Sequence, residues 1–481
     1  MRWGVIAPVL FYFKNFKVNQ VGLSLVIRSH RCKSFYATIP LCGSPVQQIW
    51  MDWILILIAL VAIYAIAAYY IYSRKIWADH IIFYGPIMAI KTNRVKFFDK
   101  FTALRTFFRI YGTVGVIAVI IVSVFITVMV FLSVRYTLML KPEPTGIYEP
   151  QNILLLPGIN DYVPSTFAVW LAFIITIVVH EFGHAILCRV EDIKVKGMGV
   201  LIAVIPIGFF VEPDDTELEQ KKGMPKVRMF GAGITNNLVV GFSCFVLLIL
   251  MFGMVVPATQ PAIHGIYKGY PADNASVPQG SVVTAINGEP VASRMDVSAI
   301  LNTTKPGDAV TLTTAKDGIA SDYKLTLAAW PADYGSNQTS GFMGVQYYDG
   351  VAVKTAVGTM LSPVGFLQFL IVPFASGDGS QYLRILAFDT PDTSYYQAPF
   401  VGFWELIHLL FWCAWININV GIFNAIPMVP LDGGYIFKEG VDRILDRRGL
   451  IKYSGYVVGA VSYVMIVALI SLIMLPYLLH M

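Results

Sequence analysis

The chain has 481 residues, of which 56% are hydrophobic and only 14% charged. Soluble domains carry about 25% charged residues, so this composition excludes a soluble globular protein and points to one with several membrane spans. The net charge of +5 is small for this length; it implies no nucleic-acid partner, and its distribution bears instead on orientation in the lipid bilayer.

Residues 1–50 hold Arg2, Lys14, Lys17, Arg28, Arg31 and Lys33 and no acid. They form neither a clean signal peptide nor a domain, and the expectation is that translation begins at Met51. A first span is predicted over Trp53 to Tyr72. Arg74, Lys75, Lys91, Arg94, Lys96, Lys100, Arg105 and Arg109 then crowd a loop expected in the cytoplasm, before a second span at about Thr113 to Leu138. The loop from Lys141 to Pro164 is punctuated by Pro and Gly and suits the outside.

The next span, about Thr166 to Val190, contains His180-Glu-Phe-Gly-His184. Residues four apart share a helix face, so His180 and His184 can each aim an imidazole at one metal. Glu181 is placed to take a proton from an attacking water, the H-E-x-x-H pattern of a zinc protease. Ionisable side chains inside an apolar span are expensive and mark function. The run from Gly197 to Val211 is apolar and β-branched but broken by Gly199, Pro206 and Gly208. It reads either as a re-entrant strand pair or as a buried short helix or interfacial loop. As strands, Gly199 and Val200 are candidates to pair with an unwound substrate segment.

Lys221, Lys222, Lys226 and Arg228 mark another cytoplasmic stretch before a span at about Met229 to Val256. Within it Asn237 is either a substrate or oxyanion contact or a helix-packing amide. From Pro257 to about Trp330 the composition turns soluble. Strand signals flank Asn287-Gly288, a helical stretch runs Ser293 to Leu301, and further strands follow. This order resembles a circularly permuted PDZ domain, which binds extended peptide ends by strand addition. Sequons at Asn274, Asn302 and Asn337 agree with an external location. Residues 353–400 are read as interfacial or partly re-entrant, because Pro363 and Pro373 interrupt them and the basic run after Gly434 needs span Val401 to Ile426 to end in the cytoplasm.

That span runs into Asn424-Ala-Ile-Pro-Met-Val-Pro-Leu-Asp-Gly-Gly434. Pro427 and Pro430 break the helix ladder. Asp432 is then either a third metal ligand, leaving a fourth position for water as in catalytic zinc, or a helix N-cap. Asn424, with Asn417 and Asn419, supplies polar groups for water or substrate. A last span, about Tyr453 to Leu479, carries no chemistry. The five cysteines (Cys32, Cys42, Cys188, Cys244, Cys413) show no C-x-x-C spacing, so neither a disulfide framework nor a thiolate site is indicated.

H-E-F-G-H at 180–184, G-x-x-x-N at 233–237 and N-x-x-P-x-x-P-L-D-G-G at 424–434, with a PDZ-like insert between, resemble the site-2 protease family of intramembrane zinc metalloproteases. The resemblance covers roughly residues 166–450. It implies His180, His184 and Asp432 as ligands of one Zn2+, Glu181 as general base and Asn237 as a substrate or oxyanion contact. It also implies substrates that are single-span membrane proteins already cut on the external side. The chain departs from the commoner G-P-x-x-N form by having Ile234 in place of Pro.

The expected fold is a polytopic α-helical membrane protein of about six spans with an inserted β-rich, PDZ-like extracytoplasmic domain. Its parts are an N-terminal extension (1–50), two spans and loops (51–165), catalytic spans (166–256), the PDZ-like domain (257–350), the interfacial segment (351–400) and two closing spans (401–481), with the active site towards the cytoplasm. Two alternatives are weighed. A membrane metal transporter or metal-regulated PDZ scaffold would use the same ligands, but only Glu405 and His408 extend the polar path. A metalloprotease with a Glu third ligand would need Glu191 or Glu212.

Overall fold

The computed structural model describes residues 45–153, 155–316, 318–331, 339–375 and 381–481. The expectations for residues 1–44 and for the sequon at Asn337 lie outside them. Helix α1 (Pro45–Arg74) carries the first expected span. Strands β1 (Ile81–Tyr84) and β2 (Ile87–Thr92) follow, turning at Gly85-Pro86, where Gly85 takes a φ of 63°. A 3-10 stretch, Lys96–Leu104, leads into α2 (Arg105–Leu140). Ile110, Val114, Ile117, Ile121, Val124 and Phe125 stand exposed on α2, a surface suited to hydrocarbon rather than water. Next come α3 (Phe167–Val190) and a hairpin of β3 (Val195–Ala203) and β4 (Ile205–Pro213). The short α4 (Asp215–Gln220) is capped by Asp214. Bonds from the Thr216 hydroxyl and the Glu217 N–H hold that carboxyl well below the usual carboxylate range. Helix α5 (Met224–Phe252) completes the first half.

The soluble-type stretch begins with β5 (Val256–Pro257) and β6 (Ile263–Ile266), then α6 (Pro271–Asn274), β7 (Val282–Ile286) and β8 (Glu289–Pro290). Asn287 and Gly288 both take positive φ, 54° and 81°, which is the two-residue hairpin turn expected of that dipeptide. Helix α7 (Arg294–Leu301) opens with a capping box in which Ser293 and Asp296 satisfy each other's backbone N–H groups. Strands β9 (Ala309–Lys316), β10 (Ile319–Thr326) and β11 (Val345–Tyr347) follow. One sheet has the order β10-β9-β7-β8, and among the described residues β11 pairs with β6 alone. Val283, Ile286, Val297, Val310, Leu312 and Val345 belong to one buried core.

Helices α8 (Gly350–Gly358) and α9 (Pro363–Ile371) continue the chain. The apolar segments of which they form part are bent by 114° across a break at Ser362, in keeping with a stretch that is not one straight span. Strand β12 (Tyr396–Gln397) returns to pair with β5. Helices α10 (Phe403–Asn424), α11 (Asp432–Asp446) and α12 (Ser454–Leu478) end the chain. Among the described residues five helices are long and apolar enough to cross a membrane, or up to six if the bent pair counts as one span.

By contacts the chain divides into two units. One holds the described residues up to 153, Phe173–Gly241 and Ile416–Met481; the other holds residues 155–172 and Phe242–Trp415. The first unit contains a four-stranded antiparallel sheet of order β1-β2-β3-β4. The sequence reading missed β1 and β2, taking them as loop. Small residues let its helices close up. A Cβ added at Gly183 of α3 would lie 2.6 Å from Ala232 O of α5, and one at Gly115 of α2 would overlap Thr235 of α5. Polar ties fix the same helices. Buried Glu191, just after α3, takes the Arg228 guanidinium at 2.8 Å and that of Arg109 at 3.3 Å.

Candidate metal centre

The register of α3 puts His180 and His184 on one face, and α5 packs against that face through residues spaced by four. Met229 O accepts from His184 Nδ1 at 2.8 Å. One turn on, Gly233 leaves the room both rings occupy: a Cβ there would lie 2.5 Å from His184 Nε2 and 2.6 Å from His180 Cε1. Another turn on, the Asn237 amide lies 3.2 Å from His180 Nδ1. The G-x-x-x-N pattern is therefore a packing face made for two imidazoles.

The third component arrives from α11. After α10 the chain turns at Pro427 and Pro430, and Gly433 and Gly434 let α11 start hard against that turn. A Cβ at Gly434 would lie 2.3 Å from Met428 C, and one at Gly433 would lie 2.4 Å from Ala425 O. The N-cap of α11 is Leu431, and no side chain caps that helix. Asp432 instead sends Oδ2 to 3.1 Å from His180 Nε2 and 3.2 Å from His184 Nε2, and the two Nε2 atoms are 3.2 Å apart. The alternative of Asp432 as a cap is thus set aside.

These spacings test for a metal. With His184 Nδ1 spent as donor on Met229 O, its Nε2 presents a lone pair to the site, and Asp432 Oδ2 has no hydrogen-bond partner among the described residues. Lone pairs converging in a buried site call for a cation. Ligands at about 2.0–2.1 Å from tetrahedral zinc stand about 3.3 Å from one another, close to the three separations found here. Two imidazoles and one carboxylate fit zinc and leave its fourth position open.

Comparison with known proteins agrees with this chemistry. The model of peptidase family M50 matches residues 168–470. The chain belongs to peptidase family M50. This is the site-2 protease family, and its members' chemistry makes the protein a membrane-embedded zinc metalloprotease. Among its relatives, an uncharacterised protein of Methanocaldococcus jannaschii is 21% identical over 71% of this chain and 74% of its own length. A putative zinc metalloprotease of Clostridium acetobutylicum is 24% identical over 56% of this chain and 84% of its own. The zinc metalloprotease RasP of Oceanobacillus iheyensis is 23% identical over 51% and 59%.

In this M50 chain Glu181 is buried beside the His pair, and its Oε2 accepts the Val211 N–H at 3.0 Å. Val211 lies in β4, which among the described residues has a ladder to β3 on one side and none on the other. Gly199 and Val200 need correcting as strand-addition sites. Both lie inside the sheet, Gly199 between Lys91 and Phe210, Val200 between Ile90 and Phe209, so among the described residues the unpaired edges are those of β1 and β4, and within this hairpin that of β4. Asn424 is buried at the end of α10 and donates to Val420 O at 3.0 Å. The alternative third ligands are engaged elsewhere, Glu191 with two arginines and Glu212 with Lys91. His408 lies against Ile385 O at 3.2 Å.

Sequence reasoning missed Val211 as a partner of Glu181 and Met229 O as the acceptor orienting His184. Neither has a side-chain signal, since both act through the backbone. It also passed over Asn236, whose amide takes the Tyr111 hydroxyl at 2.7 Å and donates to Val179 O at 3.0 Å, tying α5 to α2 and α3.

Proposed function

We propose that this M50 protease hydrolyses a peptide bond within or near the transmembrane segment of single-span membrane proteins, holding that segment as a strand on the free edge of β4. The observation that carries the reading is the Val211 N–H···Glu181 bond. In an antiparallel strand, a residue's N–H and C=O point to the same side and alternate residues point oppositely. Val211 therefore turns its polar backbone away from β3, and so does Phe209. A substrate strand laid along that side runs beside the general base.

His180, His184 and Asp432 would hold zinc, which supplies a Lewis acid for the scissile carbonyl and lets water lose a proton near neutral pH. Glu181 accepts that proton and delivers it to the leaving amine. The Val211 N–H fixes the carboxylate's orientation, and the surrounding apolar residues keep bulk water scarce. The β-rich stretch 257–350 acts in this reading as a PDZ-like domain that docks or filters the trimmed external end. The unpaired edge of β11 supports it, as does a cavity of about 600 Å3 lined by Arg294 of α7, Gln346 and Tyr347 of β11, and Val353, Ile371 and Leu383. Exposed sequons at Asn274 and Asn302 support an external side, and the basic runs at 221–228 and 438–452 a cytoplasmic one.

The test is cleavage of a tagged single-span reporter in reconstituted membranes by wild type and by Glu181→Gln, with and without a zinc chelator. Cleavage inside the span, lost in the variant and on chelation, supports the reading. Cleavage that persists in Glu181→Gln refutes it.

A further inference from the structure

The two ends of the Asn237 amide are nearly isosteric, and the hydrogen bonds around it decide which way it must face. In the structure Nδ2 lies 3.2 Å from His180 Nδ1, while Oδ1 is buried with no donor among the described residues. The side chain is fully buried, and α10 seals it: a Cβ added at Gly421 would lie 3.5 Å from Asn237 Cβ. An N–H donated to His180 Nδ1 places the ring proton of a neutral imidazole on Nε2. That nitrogen is 3.1 Å from Asp432 and would then have no lone pair for a metal. Turning the amide by 180° gives the oxygen a donor and the ring a free nitrogen. Oδ1 then accepts Nδ1–H, and Nε2 is freed as a ligand.

We infer that Asn237 is a positioning residue for His180, its side-chain oxygen accepting the Nδ1 proton in the zinc-loaded protein. The ligand pair then follows one rule. Each histidine gives its Nδ1–H to an oxygen on the same face of α5, His184 to the Met229 carbonyl and His180 to Asn237 Oδ1, with Gly233 between them making room. The neighbouring Asn236 provides the contrast, since both ends of its amide are bonded and its orientation is fixed. Outer oxygens of this kind set the tautomer of a ligating histidine, and losing one weakens metal affinity about 10–100-fold. The inference rests on the zinc assignment and not on how substrate binds.

Asn237→Leu and Asn237→Asp decide it in the full chain purified in detergent. The first keeps shape and loses every polar atom; the second keeps an oxygen acceptor and cannot donate. The readouts are zinc affinity by chelator competition and the visible spectrum of the cobalt-substituted protein, with thermal unfolding as the check on folding. The expected result is zinc affinity about 10–100-fold weaker in Asn237→Leu, with a changed cobalt spectrum, and within a few-fold of wild type in Asn237→Asp. Loss of zinc in a folded Asn237→Asp overturns the inference, because it means His180 needs a donor; this holds even where Asn237→Leu fails to fold. Wild-type zinc affinity in Asn237→Leu with a raised KM overturns it as well, and returns the residue to substrate contact.

Discussion

Replacing Gly233 by alanine adds one methyl group and asks whether the imidazoles stand where the site requires. That carbon would lie 2.5 Å from His184 Nε2, 2.6 Å from His180 Cε1 and 2.7 Å from His180 Nε2. Ordinary non-bonded contact is about 3.5–4.0 Å, so the rings must retreat by about 1 Å. They are poorly free to do so, since His184 is held to Met229 O and both grow from the same face of α3. Overpacking of this kind costs about 1–3 kcal/mol, and about 1.4 kcal/mol is a factor of ten in affinity. If the strain falls on the loaded site, zinc affinity drops roughly 5–150-fold. Gly231→Ala is the control on the same helix. Its Cβ would meet Val116 Cγ2 at 3.2 Å and Ile436 Cδ1 at 3.7 Å, away from the rings, and it makes the same glycine-to-alanine gain in helix propensity of about 1 kcal/mol. Chelator competition on the two purified variants measures the difference. Equal zinc affinity in Gly233→Ala and wild type would refute the geometry on which the metal centre is built.

Glu181→Gln retains zinc and the Val211 contact while peptide turnover falls by about 10²–10⁴, read as kcat/KM on a single-span reporter. Asp432→Ala loses stoichiometric zinc by metal analysis, whereas Glu212→Ala removes only the ion pair to Lys91 and keeps it. Phe209→Pro removes an outward N–H from the β4 edge and, against Phe209→Ala, lowers kcat/KM by about tenfold, the value of one or two backbone hydrogen bonds, without loss of zinc. Asp214 gives a pH dependence. Its carboxyl is held below its unfolded value, so its support for the start of α4 is complete above about pH 5 and is lost as pH falls well below about 4. Protection of the Thr216 and Glu217 amides, taken relative to the intrinsic exchange rate at each pH, should fall on acidification in wild type and stay constant in Asp214→Asn.

What was legible in the sequence followed from spacing along a single element. His180 and His184 are one helical turn apart, so their shared face could be read directly, as could the turn at Asn287-Gly288. Where two elements had to meet, the sequence left choices open. Asp432 could not be separated from an N-cap until α11 was seen to start at that residue and its carboxylate to reach both rings. For Gly197–Val211 a strand pair was one of two readings left open, and the edge of that pair was not legible at all. It depends on β2 pairing with β3, Lys91 opposite Gly199, and the β1–β2 hairpin was hidden in a basic loop whose one signal was Gly85-Pro86 between two β-branched runs. Adjacent amides at 236 and 237 look alike on paper, and only the helix faces they fall on distinguish a tie between helices from a neighbour of the metal.

On the reading proposed above, the edge of β4 also bears on how a helical substrate would be cut at all. Glu181 lies nine residues before the end of α3, about 14 Å along the helix, so the β4 residue bonded to it sits well inside the span. Unwinding a few residues of a substrate helix there exposes amide groups whose hydrogen bonds are each worth about 4–6 kcal/mol in an apolar medium. Three such bonds lost without replacement would cost roughly 12–18 kcal/mol, enough to forbid the reaction. An unpaired strand edge at the same depth carries the same liability in the empty protein. Joining the two exchanges helix bonds for ladder bonds at nearly constant number, so substrate and sheet each satisfy the groups the other leaves open. On that reading the scissile carbonyl, no longer shielded by a helix, comes beside Glu181, the proposed acceptor of the proton from the attacking water.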